Sequence, residues 1–177
     1  MNLREAHAAD IEAIARLHAE SWRATYRGMY RDEYLDGPVF DDRRNAWQGR
    51  LTSPRPGQYT VVAENGDGLA GFACAFADHD AKWGTLLDNI HVAPERKRAG
   101  VGTMLMRDVA FWAERERPAV GIYLWVIEAN APARRFYERL GARNAERATF
   151  DPPGRGTFAS LRYVWPNPAA LIAASGW

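Results

Sequence analysis

The sequence predicts an α/β protein: one mixed central sheet of about six or seven strands, flanked by helices. Three observations lead there. Strand-like and helix-like segments follow one another as strand, helices, three strands, helix, strand, helix, two strands. Residues 86–104, LLDNIHVAPERKRAGVGTM, pass from an apolar strand through a basic loop into Gly100-Val101-Gly102 at the start of a helix. The 177 residues suffice for one sizeable core and are short for two ordinary domains, which places one domain at 1–165 and a tail at 166–177.

Each element has its local reason. Residues 1–6 read as an edge strand, and Asp10 starts a helix with Ile11, Ile14, Leu17 and His18 at helical spacing. Trp22, Tyr26 and Tyr30 recur every four residues, but Gly28 weakens a continuous helix, so a break and a second helix around 41–51 are expected. Residues 59–63, the turn 65–68 and residues 69–77 form a β-hairpin, and 83–92 continues the meander. The helix after Gly102 is apolar on two sides, through Leu105, Val109 and Trp112 and through Met106, Ala110 and Ala113, which suits a helix covered by other elements. Residues 121–127 are β-rich. Asn130 and Pro132 open a helix that carries Ala133, Phe136, Tyr137 and Leu140 on one face and stops at Gly141. Strands at 143–150 and 158–165 follow. The tail is expected to be disordered or to pack on a neighbour, as in a homodimer, through Leu171, Ile172 and Trp177.

The 86–104 segment suits an anion. First-turn amides of a helix lack intrahelical acceptors, and the helix dipole adds partial positive charge. Gly100 and Gly102 have no Cβ to hold a phosphate away, and Arg96, Lys97 and Arg98 add cations. A Walker loop would need Gly-Lys-Ser/Thr where Gly102-Thr103-Met104 stands. A dinucleotide fingerprint fails as well, because Leu105 fills its third glycine position and residues 93–99 separate strand from glycine.

What remains resembles the acetyl-CoA loop of the GNAT superfamily of N-acetyltransferases, Gln/Arg-x-x-Gly-x-Gly/Ala, read here as Lys97-Arg98-Ala99-Gly100-Val101-Gly102, with Lys97 departing from the usual Gln or Arg. HAESWRATYRGMYRDEYLD resembles the family's acceptor-side helices, and EANAPARRFYERLGA its second CoA motif. The resemblance spans roughly residues 3–165 and implies the GNAT fold, with acetyl-CoA as co-substrate. It implies that Ile90, His91 and Val92 meet the pantetheine arm as an added strand would, that residues 97–103 (Lys97, Arg98, Ala99, Gly100, Val101, Gly102, Thr103) seat the pyrophosphate, and that Asn130 and Ala133 face the cofactor.

It also implies that Tyr137, which also contacts the cofactor, is the general acid: a phenol with an ordinary pKa of about 10 stays protonated at neutral pH and can give its proton to the leaving thiolate. A tyrosine on an apolar stripe would otherwise read as packing. The base is open between Asp88, the carboxylate nearest the strand before the loop, Glu128 at the end of the next strand, and water ending on His91 or Asp88. Trp22, Tyr26 and Tyr30 are expected to line the acceptor pocket with help from Phe150 and Phe158; core packing is the alternative for each. A carboxylate among Glu20, Asp32 and Glu33 facing that pocket would favour a cationic amine.

The composition closes other classes. With 47% hydrophobic and 25% charged residues and a net charge of +1, the chain has no bulk bias toward nucleic acid or membrane. Cys74 is the sole cysteine, so an intrachain disulfide is excluded, and it has no adjacent base to support an acyl-enzyme. Four scattered histidines give no metal-binding spacing, and the N-terminus has no signal-peptide stretch. The expectation is a cytoplasmic, metal-free enzyme acetylating a primary amine of a small molecule by direct attack in a ternary complex. The alternatives are a protein or peptide amine as acceptor, or a CoA-binding regulatory module without turnover.

Overall fold

The computed structural model describes residues 1–176. Seven strands, β1 (Asn2–Glu5), β2 (Gln58–Asn65), β3 (Gly68–Asp80), β4 (Gly84–Val92), β5 (Ile122–Ile127), β6 (Arg143–Phe150) and β7 (Phe158–Trp165), form one sheet in the order β1-β2-β3-β4-β5-β7-β6. Neighbours are antiparallel except β4 and β5. A parallel pair needs a crossover, which α4 (Val101–Glu116) supplies. Six helices flank the sheet: α1 (Ile11–Thr25), α2 (Asp32–Asp36), α3 (Val39–Thr52), α4, α5 (Ala131–Arg139) and α6 (Pro168–Ala174).

Strand alternation sorts the core onto two faces. In β3, Ala73 and Ala75 join Leu105, Met106 and Val109 of α4, while Phe72, Cys74 and Phe76 join Ile14 and Leu17 of α1 and Trp47 of α3. Both faces are covered, so β3 reads in sequence as an unbroken apolar run rather than an alternating one.

β4 and β5 pair only at Thr85–Ile122 and Leu86–Tyr123. Beyond those pairs β4 stays on β3 and β5 stays on β7, so the strands diverge and their facing edges lack ladder partners. The register of β4 on β3 jumps from Asn89 to Leu87, leaving Asp88 as a bulged extra residue at the start of the divergence.

The break falls at the turn around Gly28, which takes φ 78°, as expected, with α1 continuing to Thr25 and holding Trp22. Three local readings change. The short α2 stands between the break and α3, where one helix was expected. Asp10 precedes α1 without capping it: its carboxylate accepts from Arg4 of β1 at 2.8 and 2.9 Å and from the His7 amide. The expectation for the tail is corrected for the described residues. Asn167 caps α6 by accepting from the Ala170 amide at 2.8 Å, Leu171 is fully buried in the α4-side core, and the half-buried Ile172 packs against it, so this stretch is an ordered helix on the chain's own core. The contact expected of Trp177 lies outside the described residues. Among the described residues no helix is long and apolar enough to cross a membrane.

Candidate active site

The divergence of β4 and β5 opens a cleft of about 820 Å³, walled by β4, the 94–103 loop, β5, α5 and the end of α1. Ile90, His91 and Val92 line it from β4, beside the free strand edge. From the loop come Lys97, Arg98, Gly100, Gly102 and Thr103, and from α5 and its cap Asn130, Ala133 and Tyr137.

Two left-handed residues shape the loop, Arg98 at φ 66° and Gly100 at φ 80°, the latter at the N-cap of α4. The chain therefore enters α4 with its first-turn amides turned outward, an arrangement that cradles anions. A Cβ on Gly102 would stand 3.2 Å from Phe136 Cζ and 3.7 Å from Val92 Cγ2, so glycine is what lets α5 close against α4 and β4. Val101 and Ala99 do not line the cleft. Val101 is buried in the core and anchors the turn, and Ala99 is exposed on the outside of the loop.

The lining is cationic at this end. Arg135 and Arg139 of α5 join Arg96, Lys97 and Arg98, and no carboxylate lines the cleft. Arg96 is paired with Asp67 at 2.5 Å; the other four have no carboxylate partner among the described residues. A polyanion such as the pyrophosphate of CoA fits these amides and side chains. The free edge of β4 fits an amide-bearing arm.

At the other end α1 contributes Ser21, Ala24 and Thr25, followed by Tyr26 and Met29. Ser21 Oγ lies 2.9 Å from His91 Nδ1, and the His91 ring packs 4.4 Å from that of His18. His18 Nδ1 accepts from Trp47 Nε1–H at 3.0 Å, which leaves Nε2 as its protonated nitrogen, buried without a partner. Burial, aided by Arg43 and Lys97, pushes His91 down to about 3, and burial pushes His18 well below its ordinary value, so both rings are neutral at pH 7.

Tyr137 is 8% exposed, and its hydroxyl makes no hydrogen bond within the protein among the described residues. Burial raises its pKa, keeping the phenol protonated. Asn130 lines the cleft and caps α5 at once, accepting from the Ala133 amide at 3.3 Å.

The carboxylates weighed as bases lie elsewhere. Asp88, on the bulge, is bound to Arg50 at 2.5 Å, and Glu128 accepts from Arg147 at 2.9–3.1 Å; neither lines the cleft. The bulge turns Asp88 toward α3, away from the opening it starts. Of the three expected acceptor-side aromatics only Tyr26 lines the cleft. Trp22 is buried with Leu35 and Val39 under the Arg43 guanidinium at 4.3 Å, and Tyr30 stands behind Tyr26, 4.7 Å from it and 5.0 Å from Phe158. Phe150 packs on Trp125 outside the cleft. Sequence reasoning missed Ser21, Met29, Trp125, Arg135 and Arg139. The signal available for Ser21 was its spacing with Ala24 and Thr25, which puts three small residues on one side of α1.

A splayed mixed sheet with an amide-lined, cationic cleft at the splay defines a CoA-dependent acyltransferase scaffold. The family model for the acetyltransferase (GNAT) family matches residues 12–142, and the chain belongs to that family. It is an acetyl-CoA-dependent N-acetyltransferase by that membership. Among its relatives is an uncharacterized N-acetyltransferase, YuaI, of Bacillus subtilis (strain 168), 28% identical over 97% of this chain and 96% of that protein. The streptothricin acetyltransferase of Streptomyces lavendulae is 44% identical over 46% of this chain and 43% of that protein. The fold is shared with the PaiA N-acetyltransferase of Thermoplasma acidophilum, solved in complex with coenzyme A (TM-score 0.72, 19% identity, 90% of this chain and 96% of that one). A solved nourseothricin acetyltransferase matches 64% of this chain and 67% of its own (TM-score 0.56, 29% identity).

Proposed function

We propose that the protein acetylates a primary amine of a small molecule, by direct attack on the thioester in a ternary complex. The observation that carries this is the meeting of two unlike ends in one cleft: an amide-lined, cationic end, and an uncharged end formed by Ser21, Thr25, Tyr26 and Met29. The relation to a streptothricin acetyltransferase and the match to a nourseothricin acetyltransferase favour a small-molecule acceptor.

Acetyl-CoA supplies an activated acyl group on a thiol leaving group. The first-turn amides of α4, with Lys97 and Arg98, hold its phosphates, and the free edge of β4 at Ile90–Val92 holds its arm. Tyr137, kept protonated by burial, donates its hydroxyl proton to the departing sulfur. An amine attacks only when neutral, and no carboxylate lines the cleft to accept its proton. With Nδ1–H of His91 donating to Ser21 Oγ, Nε2 is left to accept a hydrogen bond from a water at the amine; a ring pushed down to about 3 is too weak a base to keep the proton, so His91 orients that water and the amine's proton leaves through it to bulk solvent. Cys74 takes no part. Burial pushes its thiol up to about 11, it bonds Thr60 at 3.4 Å, and it lies outside the cleft, so the amine attacks the thioester itself.

The test is release of free CoA thiol from acetyl-CoA in the presence of streptothricin, polyamines, aminoglycosides, amino acids and peptides. Turnover of a small amine supports the reading; turnover of peptides alone moves the acceptor to a protein; no thiol release with any of them, while CoA binds, leaves a binding module.

A further inference from the structure

We propose that Arg155 is the positioning residue of the acceptor end of the cleft. It belongs to the 151–157 segment between β6 and β7 and does not line the cleft. Its guanidinium carbon stands 5.0 Å from the Trp22 ring centre, 5.5 Å from Tyr34 and 6.0 Å from Tyr30, and Nη2 lies 3.6 Å from Asp42 Oδ2. Asp42 also accepts from the Tyr34 hydroxyl and, at 2.9 Å, from Arg43, so one carboxylate gathers two guanidiniums and a phenol. Arg155 Nε is buried without a hydrogen-bond partner. The charge is therefore held by ring faces and a single carboxylate, an arrangement that favours a planar guanidinium over an ammonium.

The cage matters because of what its walls do next. Between α1 and α2 the chain makes an irregular turn at 26–31 with a left-handed Gly28, and the backbone of this turn is tied to the rest of the fold where the Arg31 amide donates to the Arg155 carbonyl at 3.0 Å. Tyr30 meets Arg155 and also packs on Tyr26 at 4.7 Å, and Tyr26 and Met29 line the cleft. Contacts thus run without a gap from Arg155 through Tyr30 to the acceptor wall. The cationic end is built from other elements, namely β4, the 94–103 loop and α5. Arg155 governs the acceptor wall and leaves the CoA seat alone; this rests on the reading of the Ser21–Met29 end as the acceptor side.

The test compares Arg155→Met, which keeps the stem and removes the charge, with Arg155→Lys, which keeps the charge and removes the fork, in the full chain. Hydrogen exchange is followed at 26–34 and at 86–104, CoA affinity by calorimetry, and KM for streptothricin against KM for acetyl-CoA. For Arg155→Met we expect faster exchange at 26–34, unchanged exchange at 86–104, CoA affinity within about twofold, and an amine KM raised about tenfold, the scale of a misplaced wall. Arg155→Lys falls between. Unchanged exchange at 26–34, or an equal loss at both ends of the cleft, overturns the proposal. If the unaltered protein binds CoA but does not acetylate streptothricin, that choice of acceptor fails, and the exchange pattern with the CoA affinity still decides the role of Arg155.

Discussion

Replacing Tyr137 with phenylalanine tests the proposed proton donor. The ring keeps its place among Phe136, Tyr163 and Trp165, at centroid distances of 5.3, 6.3 and 6.3 Å. The hydroxyl that is lost has no hydrogen-bond partner in the protein among the described residues, so no buried donor or acceptor is orphaned, and stability should move by less than about 0.5 kcal/mol. The chemical step should suffer far more. A positioned general acid contributes about 10²–10⁴ in rate, or about 2.7–5.4 kcal/mol of barrier at about 1.36 kcal/mol per decade. Because burial raises the phenol's pKa above its ordinary value of about 10, the unaltered enzyme should show no falling limb from this group through pH 9. Single-turnover acetylation by stopped flow, with CoA affinity measured in parallel, separates the terms: a rate loss of two decades or more at unchanged affinity is expected. An unchanged rate across pH 6–9 would remove Tyr137 as the acid.

Asp88→Asn should leave turnover within about twofold and cost at most about 1 kcal/mol, since the side chain is a partly exposed partner of Arg50 outside the cleft; steady-state rates check it, and a loss of a hundredfold would restore Asp88 as the base. His18 and His91 are held neutral in the fold but take up protons near pH 6.5 when unfolded, so the unfolded state binds more protons below that pH and stability falls with falling pH down toward the folded value of about 3 for His91. Each ring contributes a slope of up to about 1.4 kcal/mol per pH unit. Denaturant melts at pH 7, 6 and 5 should show this decline and His91→Gln should shallow it; identical curves for the two proteins would refute it. Gly102→Ala puts a methyl between Phe136 and Val92 at the cleft. Alanine's better helix propensity, about 1 kcal/mol, offsets the crowding, so the melt should change little while CoA affinity drops severalfold in calorimetry; full retention of affinity would show that the backbone approach at Gly102 is unimportant.

The legible parts of the fold were those whose signal is local. Gly100 and Gly102 after a basic loop marked the start of α4, Asn130 and Pro132 marked α5, and the β-rich stretch at 59–63 with the turn at 65–68 marked the hairpin. The break near Gly28 was legible because glycine takes a positive φ without strain. The reading of Trp22, Tyr26 and Tyr30 as one pocket wall went further than spacing allows. They share a stripe, but α1 ends at Thr25, so Trp22 points into the core formed with Leu35 and Val39, Tyr26 reaches the cleft from the first residue after the helix, and Tyr30 stands behind it. A period of four describes one helix and has no meaning across its end. Asp88 lies outside the cleft for a similar reason: distance along a strand says nothing of which side a bulge turns a carboxylate.

By itself the sequence determined the cationic end of the cleft, because residues 97–103 and 128–142 are contiguous and their glycines, basic side chains and helix starts are written in adjacent residues. Only the tertiary structure decided the opposite end. Ser21 and His91 are seventy positions apart, Arg155 reaches Trp22 and Asp42 from the far side of the sheet order, and Leu171 draws the tail onto α4. These neighbours are set by where β4 and β5 part and by what the two faces of the sheet must cover, and both are properties of the packed whole.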